Sequence, residues 1–400
     1  MIRLSLTELG ESVEVALPAQ VGVALAESHA VSAVPALGGE LWSVRSVGTV
    51  GAATIGGIEL RIQPKVPVPR LLFLLGYALD PKGWREEDIE LGTVSGLVAA
   101  MAFAFERQTH RALARGLLQG YRSVEEALPV LRGRLRESVQ LTRRFGLAVP
   151  LEVRYDEYTA DIAENQILRA ATERLLASPG IDPAVRHRLR RLLLRFADVS
   201  RLVRGRALPP WRPSRLTMRY IPALRLAELV LGATSIENRV GDVTASGFLF
   251  DMYRVFEDFV TVALAEALTP YGGRAVRQAP GHRLDERGRV VIRPDLVWYD
   301  ETGRPVVVVD AKYKAEKSGG FPDADLYQML AYCTALDLPE GHLVYARGNE
   351  EPAQHVIRHA GTTIHCHALQ LDAEPDELLH QVTDLAERFN ASMPRLAGAA

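Results

Sequence analysis

The sequence predicts a mixed α/β fold: a β-rich N-terminal module at residues 1–70, a mostly helical region at 71–246 and an α/β domain at 247–400. Three patterns predict it. Short Val, Ile and Leu runs broken by glycine fill the first segment, and apolar residues recur every three or four positions through the second. The third segment alternates helix-like and strand-like runs, which is typical of layered α/β domains.

Composition narrows the class of protein. The 400 residues are 48% hydrophobic and 24% charged, as in globular proteins with a sizeable core, and the formal net charge is only −2. A protein that coats nucleic acid along its whole surface would be basic, so any DNA contact is expected from local patches.

The expected location is the cytoplasm. Two cysteines, Cys333 and Cys366, cannot form a disulfide framework, which fits a reducing compartment. Glu8, Glu11 and Glu14 interrupt the stretch where a signal peptide would need apolar residues. Apolar runs long enough to span a membrane are absent from the sequence, so no membrane contact is expected.

In the N-terminal module, the stretch LWSVRSVGTVGAATIGGIELRIQPKV predicts strands and turns, and prolines at 64, 67 and 69 close it. The central region begins with LLFLLGYAL and a longer helical pattern through residue 121. A helix is then predicted in EYTADIAENQILRAATERLLAS, with Thr159 or Asp161 as its cap. The stretch Arg186–Arg206 is basic and amphipathic, and a further helix is predicted from Tyr220 to Thr234.

The C-terminal segment predicts helix, strand, strand, helix, strand, strand, helix. The first helix covers FLFDMYRVFEDFVTVALAEAL, and the strand pair is GRVVIRPDLVWYD and RPVVVVDAKYK. The second helix is DADLYQMLAYCTAL, followed by the strands HLVYAR and TTIHCHALQL and a last helix near residues 374–393. The pair His365 and His367 shares one strand face, but no second ligand pair at zinc spacing accompanies it, so a half-exposed strand is the preferred interpretation.

The strand VVVVDAKYK carries the main functional signal. Val306–Val309 is an apolar run typical of a buried strand, yet it continues into charged residues. Period-2 alternation places Asp310 and Lys312 on one face and Ala311 on the other. Only five of the 47 basic residues are lysines, which makes Lys312 more informative than an arginine would be. A surface ion pair at a fraying strand end is the simpler alternative.

The preceding strand supplies a second carboxylate. A short turn at Glu301–Gly303 would fold the two strands antiparallel and bring Asp295 beside Asp310. Two buried carboxylates repel each other unless a cation lies between them, and oxygen ligands suit Mg²⁺ or Mn²⁺. The backbone carbonyl of Ala311 is a candidate further metal ligand, and Lys312 would stabilise negative charge on a phosphodiester in reaction.

Two helices add candidates. Glu257 lies near the edge of an apolar helix face and is a candidate third metal ligand, although its neighbour Asp258 is not separated from it by spacing alone. Gln328 and Tyr332 are spaced i, i+4 and share a helix face, where they would hold Lys312 or a scissile phosphate. Each of these is also an ordinary helix-face residue taken alone.

This ordered set, E…PD…DAK…QxxxY, resembles the RecB-like branch of the PD-(D/E)XK nucleases. The resemblance implies a restriction-endonuclease-like α/β domain at 247–400 and a metal-dependent endodeoxyribonuclease. It also implies catalytic roles for Asp295, Asp310, Lys312, Glu257, Gln328 and Tyr332, with Asp295, Asp310, Glu257 and Ala311 around the metal ion.

From about residue 40 onward the chain also resembles the McrC family, in VGTVGAATIGGIELRIQPK, LRGRLR, YDEYTADIAENQILRAA and MRYIPALRLAELVL. The resemblance implies a modification-dependent restriction complex that acts on double-stranded DNA carrying modified cytosine. It implies an AAA+ GTPase partner of the McrB type, on which residues before 247 dock, so that GTP enters only through the partner. The sequence has no G-x-x-x-x-G-K-[ST] loop of its own.

Two alternative functions and three open assignments accompany this interpretation. The chain would otherwise be a non-catalytic activator of the GTPase or a stand-alone RecB-like repair nuclease. Dimerisation of nuclease domains would suit a double-strand break, but no motif requires it. The basic stretch Arg186–Arg206 fits contact with DNA phosphates or with the partner, or a solvated helix face. The alternating Arg132, Arg134 and Arg136 suit a strand or extended loop.

Overall fold

The computed structural model describes residues 2–36, 41–81, 96–145, 147–203, 206–235, 239–240, 243–313, 322–346 and 353–392. It has a mixed α/β fold with several sheets, which confirms the predicted class. None of the described helices is long and apolar enough to cross a membrane. The chain divides into two compact units: one contains residues 1–87 together with 233–400, and the other contains 88–232.

The first unit begins with six strands and two helices. Their bounds are β1 Arg3–Thr7, β2 Val13–Ala16, α1 Ala19–Glu27, β3 Val31–Pro35, β4 Leu41–Ser46, β5 Thr49–Ile55, β6 Ile58–Gln63 and α2 Val68–Leu79. Strands β2, β4 and β3 form a small antiparallel sheet. The described residues up to Gln63 are rich in strands, as predicted, and the next helix begins at Val68, with Pro67 as its N-cap and Pro69 in its first turn.

The second unit holds five helices and a three-stranded sheet. Their bounds are α3 Leu97–Ala112, β7 Gly120–Leu128, β8 Arg134–Leu135, α4 Glu137–Arg144, β9 Leu151–Thr159, α5 Ala163–Ala177, α6 Pro183–Arg195 and α7 Ile221–Gly232. A short 3-10 helix at Met218–Tyr220 precedes α7. Strand β9 pairs with β7 and β8. The helical pattern predicted through residue 121 was wrong after Ala112, since the chain enters β7 at Gly120.

The predicted cap of α5 was also wrong. The N-cap residue is Ile162, whose side chain makes no capping bond. The Asp161 carboxylate instead accepts hydrogen bonds from the Ser200 backbone N–H at 2.7 Å and from Gln166 Nε2 at 2.8 Å, and it pairs with Arg122. Asp161 therefore ties the segment after α6 to the end of β9.

The chain returns to the first unit through β10 Thr234–Ser235, β11 Arg239–Val240 and β12 Val243–Asp251. Strand β12 pairs antiparallel with β5, which gives a sheet in the order β1-β6-β5-β12-β10, with β11 also on β12. Residues 248–251 were predicted as the start of a helix and are strand. Gly247 lies opposite Ala53 with a φ of 154°, and a Cβ there would come within 2.4 Å of the Ala53 Cα.

The remaining elements build a second six-stranded sheet with helices on both faces. Their bounds are α8 Met252–Leu268, β13 Arg274–Arg277, β14 Leu296–Tyr299, β15 Pro305–Lys312, α9 Asp323–Leu336, β16 Glu340–Ala346, β17 Ala353–Val356, β18 Thr363–Leu369 and α10 Pro375–Ser392. The strand order is β13-β14-β15-β16-β18-β17. Strands β14 and β15 pair antiparallel, whereas β15, β16 and β18 run parallel.

Alternation along β15 decides which helix each side chain meets. Val308 packs in a core with Met329 and Tyr332 of α9. On the opposite face, the ring of Tyr313 lies 5.8 Å from that of Phe256 on α8. The even-numbered residues after Val308 therefore face α9, which places Asp310 and Lys312 on the α9 side, as predicted.

Two details of this sheet differ from prediction. The strand predicted in GRVVIRPDLVWYD begins only at Leu296, and the residues before it contribute a single bridge from Val291 to Arg283. The histidine face of β18 is less exposed than predicted, because Phe389 of α10 lies over it. The Phe389 ring is 5.6 Å from that of His367 on β18 and 4.1 Å from that of His342 on the neighbouring strand β16. Burial lowers the pKa of His367 to about 4.

The predicted three-part division at residues 70 and 246 stays a prediction. The two compact units have other boundaries, since the first 87 residues join 233–400 in one of them.

Candidate active site

Two strand ends bring the first pair of carboxyl groups together. Asp295 immediately precedes β14 and Asp310 lies near the end of β15, where the antiparallel register places them opposite each other, just beyond the Leu296–Val309 pair. Asp295 Oδ2 accepts a hydrogen bond of 2.8 Å from the backbone N–H of Ala311. The backbone of β15 thus holds one carboxylate directly beside the other.

The carboxyl groups of Asp295 and Asp310 both resist ionisation. Asp310 is 2% exposed, and burial raises its pKa, an effect that the charge of Lys312 opposes. Burial and the negative charge of Asp310 together raise the pKa of Asp295 to about 8. Two buried carboxyl groups that resist ionisation together are a site that a bound cation would stabilise.

Lys312 joins the carboxylates to α9. Its ammonium group forms an ion pair with Asp310 and donates a hydrogen bond of 2.7 Å to Gln328 Oε1. Gln328 Nε2 donates to the Tyr332 hydroxyl at 2.8 Å, and that hydroxyl donates to the Arg293 carbonyl at 3.3 Å. These contacts hold the Lys312 ammonium group in place, because Gln328 and Tyr332 lie one helical turn apart on a packed helix.

Glu257 reaches the site from α8. Its Oε1 accepts a hydrogen bond of 2.8 Å from Gln278 Nε2, and its charge is among those that raise the pKa of Asp295. Asp258 instead lies 3.7 Å from Arg254 on its own helix. These contacts distinguish Glu257 from Asp258, which sequence spacing alone did not, and they place Glu257 at the candidate site.

Two residues at the site were missed in the sequence. Gln278 donates its backbone N–H to the Asp295 carbonyl at 2.8 Å while its side chain holds Glu257. Its φ of 44° is unusual for a residue other than glycine and marks a constrained position. Asp325, in the first turn of α9, is buried and accepts a hydrogen bond of 3.0 Å from the Tyr345 hydroxyl, and its charge raises the pKa of Asp310. Its signal in the sequence is only its place near the start of the predicted helix DADLYQMLAYCTAL.

The donor set fits a hard divalent cation. Asp295 and Asp310 supply carboxylate oxygens, the Asp310 carboxylate is buried and pairs with Lys312, and the Ala311 carbonyl follows Asp310 directly in the sequence. Among the described residues, no three His, Cys, Asp or Glu side chains are gathered as a complete metal-binding group. Two carboxylates with retained waters are what Mg²⁺ ordinarily uses. Lys314 and Lys317 lie outside the described residues.

Of the alternating arginines at 132, 134 and 136, two contact other side chains of the second unit. The Arg132 guanidinium lies 3.9 Å from the centre of the Tyr155 ring, and Arg136 pairs with Glu125 at 2.9 Å. Arg134 is exposed on β8. The expectation of a strand or extended loop for these three residues is met.

Comparison with known proteins identifies a family for most of the chain. Residues 44–346 match the family described as McrBC 5-methylcytosine restriction system component. Among solved structures, a half-complex from a tetradecameric assembly of Thermococcus gammatolerans McrB AAA+ hexamers with bound McrC includes a similar chain. The TM-score is 0.61 at 17% identity, over 96% of this chain and 99% of that one. A chain of the Thermococcus gammatolerans McrBC complex matches at 19% identity and a TM-score of 0.42, over 66% of this chain and 88% of that one. No curated protein matches the sequence.

Proposed function

This chain belongs to the family of McrBC 5-methylcytosine restriction system components, and from that premise we propose that it is the McrC-type nuclease subunit. In this role it cleaves phosphodiester bonds in double-stranded DNA that carries modified cytosine. The observation that carries the proposal is the contact of Asp295, Asp310 and Lys312 at the ends of two buried strands.

The architecture around these residues supports a PD-(D/E)XK assignment. An antiparallel pair, β14 and β15, continues into the parallel strands β16 and β18, with α9 on one face and α8 and α10 on the other. The site lies where β15 changes from apolar to charged residues. A carboxylate and an ammonium group at that place have no packing role that apolar residues would not fill better.

Each residue has a task in phosphodiester hydrolysis. Asp295 and Asp310 would hold Mg²⁺ or Mn²⁺ together with the Ala311 carbonyl. Glu257 of α8 would be a further carboxylate ligand. A bound ion of this kind supplies an activated water and neutralises phosphate charge. Lys312 is positioned to stabilise negative charge that develops on the phosphoryl oxygens, and Gln328 and Tyr332 fix its ammonium group.

The partner we propose is an AAA+ GTPase of the McrB type, through which GTP acts. The similar chain in the Thermococcus gammatolerans assembly is bound to McrB AAA+ hexamers. The second unit of this chain exposes apolar side chains around α4: Val130 is 70% exposed and Phe145 is 90% exposed, with Leu131, Leu141, Leu147 and Val149 also exposed. Such a group on one segment is typical of a protein-binding surface.

The test is cleavage of methylated and unmethylated plasmid by this chain with an McrB-type GTPase, GTP and Mg²⁺. We expect GTP-dependent cutting of methylated DNA, abolished by Asp310→Ala and unaffected by Asp372→Asn, which changes an exposed aspartate of the same unit. Cutting that survives Asp310→Ala would refute the active site. Stimulation of the GTPase without any cutting would assign the chain an activating role instead.

A further inference from the structure

Helices α3 and α6 of the second unit line an open groove, and none of the described lining residues belongs to the candidate active site. Its volume is about 610 Å³. Polar and charged residues dominate its lining, which consists of Glu106, Arg107, His110, Arg111, Arg188, Arg191, Leu192 and Arg195.

The groove has a strong positive charge in a chain whose net charge is −2. Among the residues that the structure describes, its lining has five arginines and one acid, Glu106, which pairs with Arg188 at 2.8 Å. Charges of one sign gathered in a concave surface reinforce each other's field, so this is a place that attracts anions.

The helical spacing arranges the cations in two rows. Arg188, Arg191 and Arg195 follow an i, i+3, i+7 pattern on α6, which spans roughly 10 Å along the helix axis. Arg107 and Arg111 are one turn apart on α3. Both rows line the same groove, so an extended anion would meet cations along its length from two sides.

Some of these side chains are anchored and others are available. Arg195 Nη2 donates to the Leu113 carbonyl at 2.5 Å, which fixes one end of the α6 row. Arg111 and Arg191 are exposed, and neither forms a hydrogen bond or ion pair with any residue that the structure describes. Exposed guanidinium groups that face a groove already rich in positive charge lack the counter-charge that an internal ion pair would provide.

We propose that this groove binds the phosphate backbone of DNA. Guanidinium groups bind phosphate oxygens in a planar, two-pronged geometry, and phosphates follow one another along each strand at about 3.4 Å of axial rise. An acidic protein surface fits less well, because a stable protein interface has an apolar core, and Leu192 is the one apolar residue among the described residues of the lining. The contact would be independent of base sequence. It extends the proposed function by giving the second unit a DNA-binding role separate from cleavage.

The test measures binding of a fluorescent DNA duplex by the full chain in EDTA, where no cleavage occurs. Arg191→Glu is compared with Arg190→Glu, which changes the adjacent exposed arginine of α6 outside the groove lining. We expect Arg191→Glu to raise Kd about tenfold at low salt and to lower the slope of log K against log salt by about 1. The effect should be the same for methylated and unmethylated duplexes, and Arg190→Glu should leave both quantities near wild type.

Equal effects of the two substitutions, or no effect of Arg191→Glu, would overturn the proposal. Loss of GTPase stimulation by Arg191→Glu with unchanged DNA binding would also overturn it and assign the groove to the protein partner. Because the readout is binding without metal, failure of the nuclease assignment would leave this result standing, and failure here would leave cleavage untouched.

Discussion

Burial and the nearby carboxyl group of Glu8 both raise the pKa of Tyr313, which places the end of β15 beside the residue that follows β1. Glu8 is fully buried and also accepts a hydrogen bond of 3.0 Å from the Lys65 backbone N–H. Burial raises its pKa. Tyr313 directly follows Lys312, so the N-terminal strands and the candidate active site share a buried polar contact.

Glu8→Ala is therefore expected to destabilise the fold, because it leaves the Lys65 amide without its acceptor. The loss should be about 1–3 kcal/mol in the free energy of unfolding by urea. Glu8→Gln keeps an acceptor oxygen and should lose less. Glu11→Ala, at an exposed position of the same segment, is the control and should be near neutral; an equal loss at both positions would contradict a specific role for Glu8.

Tyr332→Phe should slow cleavage by about 10- to 100-fold in kcat with little change in KM. The substitution removes the hydroxyl that holds Gln328, so the ammonium group of Lys312 loses its fixed position. Tyr327→Phe is the matched control, since Tyr327 is on the same helix and 71% exposed. A rise in KM at constant kcat would instead place Tyr332 in substrate binding.

Glu257→Gln should raise the Mg²⁺ concentration needed for half-maximal cleavage, by about tenfold. The reason is that its charge acts on Asp295, whereas Asp258 lies beside Arg254. Asp258→Asn should leave the Mg²⁺ dependence unchanged. If the two substitutions exchange these effects, the assignment of the α8 carboxylate is reversed.

The pKa of Asp295, raised to about 8, predicts a pH dependence of stability in EDTA. A carboxyl group whose pKa is higher in the folded state favours folding when protonated. That contribution is complete below its ordinary pKa of 3.8 and is lost as the pH rises through about 8. Between pH about 6 and about 9, the Tm of the wild type should fall more than that of Asp295→Asn. Parallel curves would show that Asp295 ionises normally.

Gly341→Ala should destabilise the contact of β16 with α9 by about 1–3 kcal/mol. A Cβ at this position would come within 2.5 Å of Cys333 Sγ and 2.6 Å of Met329 Sδ. Gly232→Ala, near the end of α7, meets nothing within 4 Å and should be neutral or slightly stabilising. Chemical denaturation of both variants measures the difference, and a neutral Gly341→Ala would show that α9 shifts to accommodate a methyl group.

Local patterns were enough for part of this molecule. The apolar run before Asp310 and the i, i+4 pair of Gln328 and Tyr332 predict a strand and a helix that the structure contains, and alternation predicts which face Asp310 occupies. The roles of these residues in cleavage remain predictions. Residues 248–251 show the limit, because the apolar run FLF fits a helix or a strand, and only the distant partner β5 decides between them.

Other features depend on contacts that spacing does not encode. Gln278 follows the short strand β13 and acts through its backbone and its side chain at once, so no periodic pattern marks it. Asp325 gains its importance from Tyr345 on β16, a residue brought close only by the parallel pairing of β15 and β16. Asp161 resembles a helix cap in sequence, but Ser200 competes for its carboxylate across the fold.

The pairing of β5 with β12 has a consequence for synthesis on the ribosome. Ala53 emerges early, yet its strand partner at Gly247 follows only after the entire second unit has been translated. The edge of β5 that pairs with β12 therefore stays unpaired while the intervening chain is made and folds. A polypeptide interrupted before residue 243 would lack β12 and every residue of the candidate active site, so it could not carry out the proposed cleavage.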